Sequence, residues 1–160
     1  MEAIMYTIRR AENADIPTIM KLLVQVDMVH HNGRPDIFRG PVTKYTEEEL
    51  AEILADDKSP VYVCVEDGQV LGHAFCQIKE LKGHKILQDC RTFYVDDICV
   101  DEAARGKGVG RALYEYVKEA AKEQKCGSIT LNVWACNPNA IRFYEAMGMK
   151  PQKIGMEELL

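Results

Sequence analysis

The stretch "RGKGVGRALYEYV", residues 105–117, restricts the fold of this chain more than any other. Gly106, Gly108 and Gly110 alternate between Arg105 and Arg111, and a helical pattern starts at once. Val109, Ala112, Leu113, Tyr116, Val117, Ala120 and Ala121 fall on one apolar stripe. The strand-like run "CRTFYVDDICV" (90–100) precedes the turn and "SITLNVW" (128–134) follows the helix. Strand, helix and strand in that order predict two parallel strands joined by a right-handed crossover. A helix start carries about +0.5 of an elementary charge and several unpaired amides, and glycines let a ligand approach the backbone, so this turn suits an anion. A tight turn with close helix packing accounts for the glycines equally well at this point.

The spacing narrows the choice of anion. A nucleotide P-loop needs GxxxxGK followed by Ser or Thr, which is absent, and a dinucleotide fingerprint fails because Arg111 stands where its third glycine belongs. What is left is Arg105-x-x-Gly108-x-Gly110 after a strand and at the start of a helix. A net charge of -5 argues against a nucleic-acid surface, whereas Arg105, Lys107 and Arg111 form a cluster the size of a small anion. No run approaches the roughly 18 apolar residues of a membrane span, and the first residues carry Glu2 and no long apolar core. A soluble cytoplasmic protein without a membrane partner is expected. Cys64, Cys76, Cys90, Cys99, Cys126 and Cys136 are scattered without a CxxC pair, as free thiols of a reducing compartment are. His30, His31, His73 and His84 lack ligand spacing relative to them, so no metal is expected.

At 160 residues the chain fits a single domain, 1–160. Residues 5–10 read as a first strand, and Asp15 before Ile16 and Pro17 reads as a helix start. "HHNGRPDIFRGP" (30–41) breaks the helical spacing and predicts a loop about a dozen residues long. Thr46 and Glu49 predict a capping box at a second helix. "VYVCVE" and "VLGHAFCQIKE", separated by "DGQ", predict a hairpin in which Gly68 supplies the positive φ. Asn137 and Pro138 start a last short helix that Gly148 ends, and the tail "MKPQKIGMEELL" is expected to return as an edge strand.

Two stretches together resemble a known family. "VDEAARGKGVGRALYEYVKEAA" (100–121) is similar to the cofactor motif of the GNAT superfamily of N-acetyltransferases, whose R/Q-x-x-G-x-G/A loop binds the pyrophosphate of acetyl-CoA. "NVWACNPNAIRFYEAMGMK" (132–150) resembles the superfamily's second motif, a strand and helix carrying an Asn, a Tyr and a Gly before the last strands. The resemblance covers nearly the whole chain. It implies an α/β fold with a central, twisted, mixed sheet of about six or seven strands flanked by about four helices. It also implies acetyl-CoA as co-substrate without a metal, a primary amine as acceptor, whether a small molecule or a protein amino group, and direct attack on the thioester. Homodimers are common in the superfamily.

The same resemblance assigns roles. Ile98, Cys99 and Val100 would bond the pantetheine arm through their backbone. Arg105, Gly106, Lys107, Gly108, Val109, Gly110 and Arg111 would hold the pyrophosphate, and Asn137 and Tyr144 would lie beside the cofactor. A thioester carbonyl under attack needs a preorganised donor, and an unpaired amide near Ile98 or Cys99 is one. Tyr144 is seven residues, two helical turns, past Asn137 and corresponds to the superfamily's usual general acid for the leaving thiolate. Without the second motif it reads as a core aromatic on the stripe Ala140, Ile141, Tyr144 and Met147. An alkylammonium has a pKa near about 10, so a base or a water chain must deliver the amine neutral. In the ribosomal-protein alanine acetyltransferases a glutamate on the strand before the last helix does this, and here Asn132 stands there. Asp96 or Asp97 is the alternative base, acting through water, and both also read as a solvated or salt-bridged pair at a sheet bulge. His30, His31, Arg34, Asp36, Phe38 and Tyr94 are candidates for the acceptor wall, Arg34 suiting a carboxylate and Asp36 an ammonium; loop anchoring is the competing account. A non-catalytic acyl-CoA binding or sensing module is the alternative function.

Overall fold

The computed structural model describes residues 6–160. Strands β1 (Thr7–Arg10), β2 (Val61–Glu66), β3 (Gln69–Leu81), β4 (Cys90–Val100) and β5 (Ser128–Leu131) form one sheet in chain order, antiparallel from β1 to β4 and parallel between β4 and β5. Among the described residues four helices complete the mixed α/β fold: α1 (Ile16–Gly33), α2 (Glu47–Leu54), α3 (Val109–Glu123) and α4 (Pro138–Ala146). Alternation along β2 explains why both sheet faces are covered. Tyr62 and Cys64 join the core under α3, with Leu113 and Val117, whereas Val61 and Val63 join the core under α1 and α2, with Ile19 and Leu50.

Local signals place most boundaries. Pro17 lies in the first turn of α1, and Thr46 and Glu49 form the capping box of α2, each side chain bonding the other residue's amide. Asp67 and Gly68 take the positive φ values of a two-residue hairpin turn. Asn137 caps α4 by accepting the Ala140 amide at 3.3 Å, and Gly148 follows the helix with φ +98°.

Four expectations need correction. The α1 helix runs through His30 and His31 to Gly33, because the first proline, Pro35, disfavours helix only at the residue before it. On α3 the buried tyrosine is Tyr114, while Tyr116 stays 40% exposed, its ring edge-on to Tyr62. β5 ends at Leu131, so Asn132 to Trp134 leave the sheet. The tail forms no strand: residues 151–160 have no regular structure and are exposed, which leaves five strands among the described residues where six or seven are expected. Lys150 and Pro151 open this tail, and the segment meets no sheet edge of its own to pair with.

The start of α1 carries a buried charge. The Asp15 carboxylate accepts Arg9 Nη1 and Nη2 at 2.7 and 3.0 Å and the Glu12 amide at 2.8 Å. Arg9, opposed by burial, holds its pKa below the usual carboxylate value. A depressed folded-state pKa stabilises the fold above the unfolded-state value and is lost as pH falls through the folded-state value. Asp15→Asn is therefore expected to cost about 1–3 kcal/mol in urea unfolding at pH 7, with the difference from wild type shrinking below about pH 4. Equal midpoints at pH 7 would contradict it.

Candidate active site

The sheet opens between β4 and β5. The two strands pair only from Thr92 opposite Ser128 to Val95 opposite Leu131. At that point the β3–β4 register slips, with Phe75 opposite Asp97 and Cys76 opposite Val95, so Asp96 is the extra residue of a bulge. Beyond it, Ile98, Cys99 and Val100 pair with β3 on one side and with no strand on the other. Ile98 and Val100 lean on the core under α3, while the Cys99 thiol turns the other way and donates to the Leu22 carbonyl at 3.3 Å. Burial pushes that thiol up to about 12, which makes it a packing group.

Val100 leads into the glycine-rich turn through a braced corner. The Asp101 amide bonds the Leu71 carbonyl at 2.8 Å, and its carboxylate accepts the Ala103 amide at 2.9 Å. Tyr6 Oη then donates to the Lys107 carbonyl at 2.6 Å, fixing the middle of the turn. Gly108 is the N-cap of α3 with φ +81°, a conformation costly for any residue with a Cβ, and no side chain caps the helix. The first intrahelical bond is Ala112 N–H to Gly108 C=O at 3.0 Å, so the amides of Val109, Gly110 and Arg111 have no helical acceptor. Arg105, Lys107 and Arg111 are exposed around them, and none has an ion-pair partner among the described residues. Gly110 has a second duty. A Cβ there would lie 3.3 Å from the Phe143 ring, so this glycine also lets α4 approach the start of α3.

Tyr144 follows Phe143 on α4, with Asp97 and Cys99 among its neighbours. Burial first, then the nearby Asp97 carboxylate, push its phenol well above the ordinary tyrosine range. The two aspartates are held differently. Asp96 Oδ2 accepts Lys44 Nζ at 2.6 Å, while Asp97 Oδ2 lies 3.0 Å from His73 Nε2. His73 is fully buried on β3, and its Nδ1 has no partner. An orphaned N–H costs more than an unfilled acceptor, so the neutral tautomer with the proton on Nε2 fits, donating to Asp97. Sequence reasoning missed His73 as a partner of this site. A lone histidine inside the apolar run "VLGHAFC", two residues from Phe75, which stands opposite Asp97, was its signal.

The loop after α1 packs against the segment that follows β5. Phe38 stacks on His30, centroids 4.9 Å apart, and meets Trp134 edge-on at 4.8 Å, while His31 Nδ1 lies 2.7 Å from the Phe38 carbonyl. Arg34 and Asp36 are engaged with each other, at 2.9 and 2.7 Å, and Arg34 also bonds Glu157. Tyr94 accepts Asn132 Nδ2 at 3.3 Å and lies under Lys79 Nζ, 3.8 Å from the ring centroid. Among the described residues no cluster of His, Cys, Asp and Glu suits a metal ion, and no helix is long and apolar enough to cross a membrane.

The parted parallel strands lead into an uncapped, glycine-led helix start. The chain belongs to the Acetyltransferase (GNAT) family, whose model matches residues 28–149. It is 30% identical over 110 residues, 68% of its length, to glucosamine 6-phosphate N-acetyltransferase 1 of Oryza sativa subsp. japonica, covering 62% of that protein. It is 28% identical over 151 residues to the thialysine N-epsilon-acetyltransferase of Bos taurus, covering 88% of this chain and 82% of that one. The chain spans about three fifths of the length of the first curated relatives it matches. Among solved structures, a mutant of the BH1408 protein from Bacillus halodurans superposes with a TM-score of 0.93 at 30% identity, over 96% of this chain and 99% of that one.

Proposed function

We propose that this protein is an N-acetyltransferase that moves the acetyl group of acetyl-CoA to a small-molecule primary amine by direct attack. The observation that carries the reading is the unpaired edge of β4 leading into the uncapped start of α3. The residues present fit a diphosphate: three amides without helical acceptors, three unpaired cations around them, and a positive-φ glycine that keeps side chains out of the mouth. Acetyl-CoA supplies the activated acyl group. The chain does the rest. Val109, Gly110 and Arg111 amides, with Arg105, Gly106, Lys107 and Gly108, grip the diphosphate, and the free main-chain groups of Ile98 to Val100 align the pantetheine arm, with Asn137 at the far side. Tyr144, held protonated by its surroundings, gives its phenol proton to the departing sulfur. Asp97, steadied by His73, accepts the ammonium proton through a water. His30, His31, Phe38, Trp134 and Tyr94 wall the acceptor groove, while Arg34 and Asp36 brace the loop rather than contact substrate.

The named activities of the rice and bovine relatives, on glucosamine 6-phosphate and thialysine, favour a small amine over a protein amino group. The test is thiol release from acetyl-CoA across amino sugars, amino acids, polyamines and peptides. Turnover on at least one small amine supports the reading; tight binding of acetyl-CoA without turnover on any amine would make the protein a sensor of the same fold. Gly108→Val is expected to weaken coenzyme A binding at least tenfold by calorimetry, because a β-branched residue resists φ +81° and crowds the anion. Unchanged affinity would remove the diphosphate grip from this loop.

A further inference from the structure

The sheet face that carries Asp97 continues past it as an open polar strip. Phe75, Gln77 and Lys79 alternate onto one face of β3, and Asp97, Tyr94 and Thr92 stand opposite them on β4. Phe75 is buried in the core under α1 and α2, whereas Gln77, Thr92 and Tyr94 are half-buried and Lys79 is exposed. The strip therefore runs from Asp97 outward to solvent.

Charge is divided unequally along it. At the inner end Asp97 meets His73 Nε2 and, among the described residues, no lysine or arginine, while Asp96 beside it is matched by Lys44 at 2.6 Å. At the outer end Lys79 Nζ lies 3.8 Å from the Tyr94 ring centroid and has no carboxylate partner among the described residues. Glu80, next to it in sequence, is held by Arg91 and Lys82. Tyr94 Oη accepts Asn132 Nδ2 at 3.3 Å, so its own proton remains to be donated. An ammonium resting on a ring face still turns N–H groups outward, and with the hydroxyl at the edge of the same ring it can serve one anion. Tyr94 and Asp97 stand three residues apart on β4, roughly 10 Å at the rise of a strand. A carboxylate at one end and a free cation at the other complement a molecule of the opposite order, ammonium first and anion last.

We propose that the amine acceptor carries a carboxylate or a phosphate at the end of a spacer, and that Lys79 and Tyr94 bind this anion while the amine lies at Asp97. The inference rests on the acetyl-transfer reading and narrows it to zwitterionic acceptors, with Lys79 setting specificity and taking no part in the chemistry. The test compares kcat/KM for ω-amino carboxylates of increasing spacer length, for aminoalkyl phosphates of the same spans, and for neutral amines in which an amide or a hydroxyl replaces the anion. Anionic acceptors should exceed their neutral counterparts by about tenfold or more, with a maximum at one spacer length. Lys79→Met should remove most of that preference through KM for the acceptor, and Lys79→Glu should shift it toward α,ω-diamines. Both variants should keep the wild-type affinity for coenzyme A and the wild-type Tm, since this side chain is exposed and far from the start of α3 in sequence. The faster of the two anionic series identifies the anion the groove holds. Neutral amines turned over as fast as anionic ones overturn the proposal and leave acetyl transfer standing. So does a preference that Lys79→Glu retains, or one that ignores spacer length. Turnover on no amine at all overturns the acetyl-transfer reading and this narrowing together.

Discussion

Tyr144→Phe is expected to lower kcat for acetyl transfer by about 10² or more, the usual worth of a placed general acid, while leaving KM for acetyl-CoA within about threefold. The split follows from position. The proposal gives Tyr144 a part at the departing sulfur and none at the diphosphate, and the substitution removes a proton donor while keeping the ring that packs edge-on against Phe143, centroids 5.2 Å apart. The phenol's raised pKa has a further consequence. Burial and the Asp97 charge favour its neutral form, so the acid stays loaded through the alkaline range in which amine acceptors lose their own proton. Wild-type rate should therefore keep rising with pH up to about 9, without a falling limb from tyrosine ionisation. A Phe variant with wild-type kcat would reduce Tyr144 to a packing residue, as its place on the apolar stripe of α4 allows.

Much of the local structure was readable because short-range chemistry wrote it. Positive φ at Gly108, the Asn137 cap and the Thr46–Glu49 box are local demands, and a local demand leaves a residue type at a fixed offset. The β4 span, Cys90 to Val100, matches the strand-like run read from the sequence. What was not readable depends on register. Nothing in "FYVDDICV" says that Asp96 is the extra residue, nor that Lys44, fifty-two positions away, would claim it and leave Asp97 to His73. For the acceptor loop the sequence left substrate contact and loop anchoring both open, and only the fold shows Arg34 and Asp36 within 2.7 Å of each other. The missing edge strand is a different case: whether "KIGMEELL" forms a strand depends on a pairing partner, which a local pattern cannot specify.

The two aspartates now predict different outcomes. Asp97→Asn should lower kcat/KM at neutral pH by about 10²-fold, and Asp96→Asn by less than about tenfold. Both lose one negative charge beside the gap, so a purely electrostatic effect would weaken them alike. They differ in what proton uptake disrupts. Protonating Asp96 breaks its ion pair with Lys44, whereas Asp97 is held by His73 Nε2 at 3.0 Å and lies near enough to Tyr144 to act on it. The pH profile separates a base from a structural carboxylate. Without a base the acceptor must lose its proton to bulk water, which becomes easier toward the amine pKa of about 10, so the deficit of Asp97→Asn should shrink as pH rises from 7 to 9.5. His73→Gln acts through Asp97 and should produce the same pH-dependent deficit at smaller size, with coenzyme A affinity unchanged. A deficit that stays constant with pH in both variants would show that this pair holds the β3–β4 bulge together and handles no proton.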